Sequence, residues 1–226
     1  MKNKHNFEVK IVFDNNALPG FQSGWGFGAI IMNNYSNNIL LFDTGAGFPK
    51  LAHNLNKFNI EVEDIKKVII SHTHMDHAGG LMSLVTINPK IELYLAYSKK
   101  DYMSNQMPSD VKVYGIKDIT EIEDNIYCSK ELGTGIPEIS LFLKSEKGIV
   151  IITGCAHPGL ENIMENAKEL GKIRAVLGGF HGFDKLYALE GIDLIAPCHC
   201  TSNTKQIRKK LPNNFVEIKA GSTLIF

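Results

Sequence analysis

The stretch that most constrains this chain is Ser71-His72-Thr73-His74-Met75-Asp76-His77-Ala78-Gly79-Gly80, which follows directly on the apolar run Val68-Ile69-Ile70. It holds four groups able to ligate a metal within six residues, after a segment that reads as a buried strand and before two glycines. In extended chain, side chains two apart face the same way, so His72 and His74 can share one ion. A turn at Met75 then aims Asp76 and His77 at a second point. A polar loop that is merely histidine-rich is the competing reading, and imidazole clustered with carboxylate argues against it.

Composition narrows the setting. The chain has 226 residues, 24 Lys+Arg against 24 Asp+Glu, and 44% apolar residues, a profile of one globular domain spanning 1–226. Zero formal net charge gives no long-range pull toward nucleic acid or an anionic membrane, so neither is expected as a partner. A small-molecule substrate is expected, and a homo-oligomer stays open. Cys128, Cys155, Cys198 and Cys200 are too few for a secreted disulfide framework and are read as reduced. The N-terminus lacks the apolar core of a signal peptide, and no run reaches the ~20 apolar residues of a bilayer span. The expectation is a complete, cytoplasmic chain.

Strands are read at Phe7 to Phe13, then as a hairpin of Ala29 to Met32 and Ile39 to Phe42. A helix is expected over Pro49 to Phe58 and a turn over Glu61 to Ile65. Strands follow at Val68 to Ile70, Ile91 to Ala96, Val111 to Tyr114, Ile126 to Ser129, Ile139 to Leu143 and Gly148 to Ile152. Leu160 to Leu170 is an amphipathic helix closed by Gly171. The last expected elements are strands at Ile173 to Leu177, Ile192 to Ala196, Phe215 to Ile218 and Thr223 to Phe226, with helices at Lys185 to Glu190 and Thr201 to Lys210. Such sets of strands interspersed with helices suggest sheets covered by helices on their outer faces.

His72-Thr73-His74-Met75-Asp76-His77 after an apolar strand resembles the metal-binding motif of the metallo-β-lactamase-fold hydrolases. Asp43 in Phe42-Asp43-Thr44-Gly45 matches the family's strand-ending Asp-Thr-Gly. Thr153-Gly154-Cys155-Ala156-His157-Pro158-Gly159, Gly178-Gly179-Phe180-His181 and Ala196-Pro197-Cys198-His199-Cys200-Thr201 resemble a narrower branch, which includes a dihydropterin-ribofuranosyl-aminobenzene phosphate synthase. The resemblance runs along essentially the whole chain. It implies an α/β fold, a four-layer αββα sandwich of two mixed sheets flanked by helices, with a dinuclear metal site. His72, His74 and His157 would hold one ion, and Asp76, His77 and His199 the other. The ions would be one or two divalent metals, zinc first, with manganese or iron as alternatives.

The chain departs from the family at one telling place. Where a strand should end apolar-Thr-Gly-Asp, with the carboxylate bridging both ions, it reads Ile152-Thr153-Gly154-Cys155. Cys155 is either a thiolate ligand or a small buried residue. The segment around Asp101 to Asp110 is also shorter than in much of the branch, a trimming that would remove part of a substrate lid or a dimer contact, so a pterin-related substrate is an extrapolation from the branch.

Other residues keep two readings. Asp43 either orients a ligand histidine through its second ring nitrogen or simply forms a turn. His181 either contacts substrate and protonates a leaving group or is a structural histidine. The loop Gly20 to Gly28 carries Phe21, Trp25 and Phe27, with Trp25 and Phe27 offered as a substrate-contacting wall; the alternative is a plug for a sheet edge. Cys198 and Cys200 flank His199 and would face away from it in extended chain, as packing residues. His5, His53 and Cys128 read as unremarkable, and Lys205, Arg208, Lys209 and Lys210 as charges suited to the end of the last helix.

By resemblance the activity is metal-dependent hydrolysis, in which water activated by the ions attacks a carbonyl or phosphoryl centre of a small, phosphorylated or otherwise anionic metabolite. Asp76 would orient the nucleophile and His181 serve the leaving group. The second hypothesis is a catalytically weak sensor of metal or ligand that uses Cys155 as a reactive thiol.

Overall fold

Two hairpin-linked meanders, each extended by parallel strands, build the computed structural model, which describes residues 7–226. His5 lies outside the described residues. Strands β1 (Phe7–Phe13), β2 (Gly28–Asn33) and β3 (Asn38–Phe42) pair antiparallel, and β4 (Ile65–Ile69), β5 (Glu92–Ala96) and β6 (Lys112–Ile116) add to them in parallel. The second sheet starts antiparallel with β7 (Thr120–Glu123), β8 (Ile126–Cys128), β9 (Leu141–Ser145) and β10 (Gly148–Thr153). It ends with β11 (Ile173–Gly179) and β12 (Leu194–Cys198) in parallel. The chain then returns, and β13 (Thr223–Ile225) pairs with β1. Among the described residues the sheets run β13-β1-β2-β3-β4-β5-β6 and β12-β11-β10-β9-β8-β7.

Three apolar layers hold this together. Phe7, Val9 and Ile11 of β1 meet Val150 and Ile152 of β10 between the sheets. The alternate residues Val68 and Ile70 face outward to α1 (Phe48–Lys57) and α3 (Leu81–Ile87), which follows the short α2 (Met75–Ala78). On the other side Ile149 and Ile151 lie under α5 (Leu160–Lys168), with Ile207 of α6 (Thr204–Lys210) in the same layer. The helix between these sets, α4 (Lys100–Ser104), sits beside β6. Strands buried on both faces read as unbroken apolar runs, as Ile149-Val150-Ile151-Ile152 does. The result is the expected four-layer αββα sandwich.

Most expected elements stand within two or three residues. The helices α3 and α4 were not expected, and Phe215 makes only an isolated bridge to Ile195 in place of the expected strand. The loop before β2 is tied down. Asn54 on α1, fully buried, donates to Val12 O and Gln22 O at 2.8 Å each and accepts from Gln22 N–H. His53 reaches Gly20 O at 3.1 Å and Phe21 packs on Phe58. Cys128 is a buried core thiol, and Arg208 and Lys210 sit in surface pairs with Glu217 and Glu190. No helix among the described residues is long and apolar enough to cross a membrane.

Candidate metal centre

The carboxyl ends of β3, β4, β10, β11 and β12 converge, the usual place for a site in sheets with parallel strands. Asp43, Ala156, His181 and His199 all adopt left-handed backbone there, with φ of 58°, 56°, 47° and 49°. Each such residue costs roughly 1–3 kcal/mol and persists where the surrounding structure over-determines it.

The ligand atoms of His72, His74 and His157 lie within 4.8 Å of one another, and so do those of Asp76, His77 and His199. His72 Nε2 and His74 Nδ1 are 3.1 Å apart, near the roughly 3.3 Å separation of two nitrogens on one tetrahedral ion. Cys155 groups with His72 from one set and His77 from the other, its Sγ 3.1 Å from His77 Nε2. The thiol thus occupies the place between the two sets.

Each buried ring is aimed by its other nitrogen. The Asp43 carboxylate accepts the Ser71 N–H and hydroxyl at 2.7 Å each, and its Oδ2 also accepts the His77 Nδ1–H at 2.7 Å. With its own proton given to Asp43, the Ser71 hydroxyl accepts the His72 Nδ1–H at 2.9 Å. Glu138 accepts the His157 Nδ1–H at 2.8 Å, and Asn15 Oδ1 accepts the His199 Nδ1–H at 3.1 Å. All four Nε2 atoms are left to face the centre, the arrangement that fixes tautomer and direction in metal-binding histidines.

The electrostatics agree. Burial, then the neighbouring rings, pushes His72 far below its ordinary value, and His199 down to about 4 for the same reasons. His74 is lowered by burial and by His157. His199 Nε2 is buried with no hydrogen-bond partner, 3.4 Å from Asp76 Oδ2. His77 goes the other way: burial would lower it, but the Asp43 carboxylate against its ring raises it. The lowered imidazoles of His72, His74 and His199, with His199 Nε2 orphaned, fit divalent cations. Burial raises the Asp43 carboxyl despite His77 and Ser71. At Glu138 the opposite wins: burial alone would raise it, yet the bonds from the His157 ring and the backbone hold it low.

Sequence reasoning placed most of these groups, and Asp43 as the acceptor that orients a ligand histidine, here His77, but missed the other supports. Glu138 accepts the N–H groups of Cys155, Ala156 and His157 at 3.1, 2.9 and 3.0 Å, so it shapes the whole loop. A single acid within the apolar Ile136-Pro137-Glu138-Ile139 was its only trace. Asp14 receives the His199 N–H at 2.9 Å, and Asn15 donates to His199 O at 2.8 Å. The cue was three polar residues directly after β1.

Three expectations need correction or division. Phe27 is fully buried between the sheets, edge-on to Phe42, and is no substrate wall. Trp25 is 62% exposed, with its ring 5.1 Å from that of His199, so of the two it alone flanks the centre. Cys198 packs in the core as expected, but Cys200 does not face away: its sulfur lies within 4.8 Å of Cys155 Sγ and of His199. Contact with Cys200, then burial, raises Cys155, and the same contact lowers Cys200. His181 is exposed, its ring 5.1 Å from that of His157, and lines a cavity of about 360 Å³ with Phe180, Phe183 and Lys185.

Known proteins share both sequence and fold. Residues 23–107 match the family model described as Anti-Pycsar protein Apyc1. The Methanocaldococcus jannaschii protein MJ0448 is 31% identical over 96% of this chain and 99% of its own length. A 7,8-dihydropterin-6-methyl-4-(β-D-ribofuranosyl)-aminobenzene-5'-phosphate synthase from the same organism is 24% identical over 91% of this chain and 90% of its own. The crystal structure of Tm1679, a metal-dependent hydrolase of the β-lactamase superfamily, matches with a TM-score of 0.79 and 25% identity, over 96% of this chain and 98% of that one. The chain belongs to the metallo-β-lactamase superfamily.

The two M. jannaschii relatives support the dihydropterin-synthase-like branch within it. For a metallo-β-lactamase-fold protein, divalent metal ions are the implied cofactor, and the donors gathered here are of the right kind.

Proposed function

We propose that this chain is a metal-dependent hydrolase of a small phosphorylated or otherwise anionic metabolite. His72, His74 and His157 hold one divalent ion, Asp76, His77 and His199 a second, and Cys155 lies between them. The observation that carries this reading is the set of four imidazoles, each anchored by a separate acceptor and each turning its free Nε2 to a common centre. Nitrogen and sulfur donors favour zinc, with manganese or iron as alternatives. Bound there, divalent ions acidify water and polarise the electrophile.

The chain's own groups do the rest. The Asp76 carboxylate, 21% exposed, orients the attacking water and takes its proton. His181, at the rim of the cavity, donates a proton to the leaving group. The cavity beside it is sized for one small molecule, and its charged lining includes the Lys185–Glu161 pair. Trp25, on the His199 side, offers a flat surface for a ring. The name of the synthase relative supports a pterin-related phosphate as the substrate class.

The test is turnover of a panel of phosphomonoesters, phosphodiesters, thioesters and lactams, pterin phosphates among them, by protein stripped and reloaded with zinc or manganese. Metal-dependent turnover that disappears in His74→Ala supports the hydrolase. Tight metal binding with no turnover on any of them supports the second reading, a sensor built on the Cys155 thiol, which stands where the family has its bridging carboxylate.

A further inference from the structure

The run Cys198-His199-Cys200 closes β12, and only an extended backbone would send both thiols away from the imidazole between them. His199 is left-handed, with φ of 49°, and this breaks the alternation on one side. Cys198 stays in the core while Cys200 turns inward, so that Cys155, His199 and Cys200 offer sulfur, nitrogen and sulfur within 4.8 Å of one another. Two sulfurs on one tetrahedral ion lie about 3.8 Å apart, so the group can close on a metal with little adjustment. The room is built in. A Cβ on Gly179 would sit 2.7 Å from Cys200 Sγ and 2.2 Å from Gly154 O, so only glycine lets the thiol come in under the Cys155 loop. The nitrogen of the group is His199 Nε2, on a side chain with no exposed surface, without a hydrogen-bond partner and 3.4 Å from Asp76 Oδ2.

We propose that the ion beside His199 is held by two thiolates, Cys155 and Cys200, together with His199, in place of the Asp76, His77 and His199 set given above, and that Cys200 is a metal ligand of this chain. The inference rests on the reading of the centre as a metal site and adds a second sulfur to it. Its consequence is selectivity: two soft donors favour zinc over manganese or magnesium at this position, whatever the nitrogen-rich set of His72, His74 and His157 accepts.

The test is the full chain loaded with cobalt(II), read by metal content and by the near-ultraviolet charge-transfer band that cobalt shows only with thiolate ligands. Expected are bound cobalt, a charge-transfer band, a weaker band in each of Cys155→Ser and Cys200→Ser, and loss of the band in the double variant with cobalt still bound. The zinc-loaded wild type, which depends on no variant folding, gives an X-ray absorption fine-structure check: a sulfur shell at about 2.3 Å. Bound cobalt without the band, or a band undiminished by Cys200→Ser, overturns the proposal and leaves the metallohydrolase reading intact. Protein that binds no cobalt or zinc overturns both.

Discussion

Glu138 and His157 are joined twice: the buried carboxylate accepts the ring Nδ1–H at 2.8 Å and the backbone N–H of the same residue at 3.0 Å. The remaining oxygen takes the N–H groups of Cys155 and Ala156, so one side chain sets both the ring's direction and the path of the loop beneath it. Glu138→Gln keeps the shape but turns one acceptor into a donor facing N–H groups. Loss of such an outer partner typically costs 10–100-fold in metal affinity. An unsatisfied buried group adds about 1–3 kcal/mol of destabilisation. Chelator competition and a denaturant melt measure the two effects. Unchanged zinc affinity in a folded Glu138→Gln protein would remove Glu138 from the support of the centre.

His199 and His72 make the metal-free protein acid-sensitive, whereas His77, raised despite its burial by Asp43, acts above its ordinary value and not in the acid window. An unfolded His199 takes a proton near its ordinary 6.5, whereas the folded one, buried and beside His77, resists until about 4. Between these values the unfolded chain binds more protons, so stability falls as pH drops from 6.5 toward 4 and is unaffected by this group above 6.5. His72, lowered further, adds to the same slope, at most about 1.4 kcal/mol per pH unit for each group. Urea midpoints of chelated protein across that window measure it. A flat profile, or one that rises toward acid, would show that these rings are not held neutral.

What the sequence disclosed, and what it concealed, follows from range. The ligand motif at 72–77 is local, and Ile149 to Ile152 announce a buried strand by composition alone. Asn15 and His199 meet across 184 positions and Glu138 and Cys155 across 17, and no periodicity encodes either pairing. The Cys200 thiol was misread because alternation assumes extended backbone, and one left-handed residue overturned it. Phe27 was misjudged for a related reason. Aromatics in a glycine-rich loop give no sign of which will be drawn under the next strand, and here Trp25 stayed out while Phe27 went in.

Those two aromatics are expected to fail differently when removed. Trp25 is 62% exposed beside His199, so Trp25→Ala should leave the melting temperature nearly unchanged, as surface substitutions do. It should raise KM for a ring-bearing substrate, by about tenfold for each 1.4 kcal/mol of lost contact. Phe27→Ala opens a cavity between the sheets that costs about 3–5 kcal/mol, or roughly 6–20 °C in a chain of this size. Steady-state kinetics with thermal melts separate the outcomes. An unaltered KM in Trp25→Ala would take Trp25 out of the substrate's reach.

Gly26 tests how tightly the loop before β2 is coupled to the centre. Its φ is 141°, and a Cβ there would lie 2.4 Å from Asp76 O, the carbonyl that also accepts the Phe27 N–H at 3.2 Å. The Gly26 N–H itself donates to Asn15 Oδ1, the atom that aims His199. Gly26→Ala therefore pushes on Asp76 and loosens the support of His199 in one step, while His72 and His157, two of the three histidines of the other set, rest on Ser71 and Glu138, away from the change. The expected result is a folded protein that keeps the ion held by those three histidines and loses the other, read as a drop in metal bound per chain after dialysis. Gly47→Ala is the control, since a Cβ there meets nothing within 4 Å and the backbone is extended, with φ of −174°. Full metal content in Gly26→Ala would mean that the loop and the ligands it touches move independently.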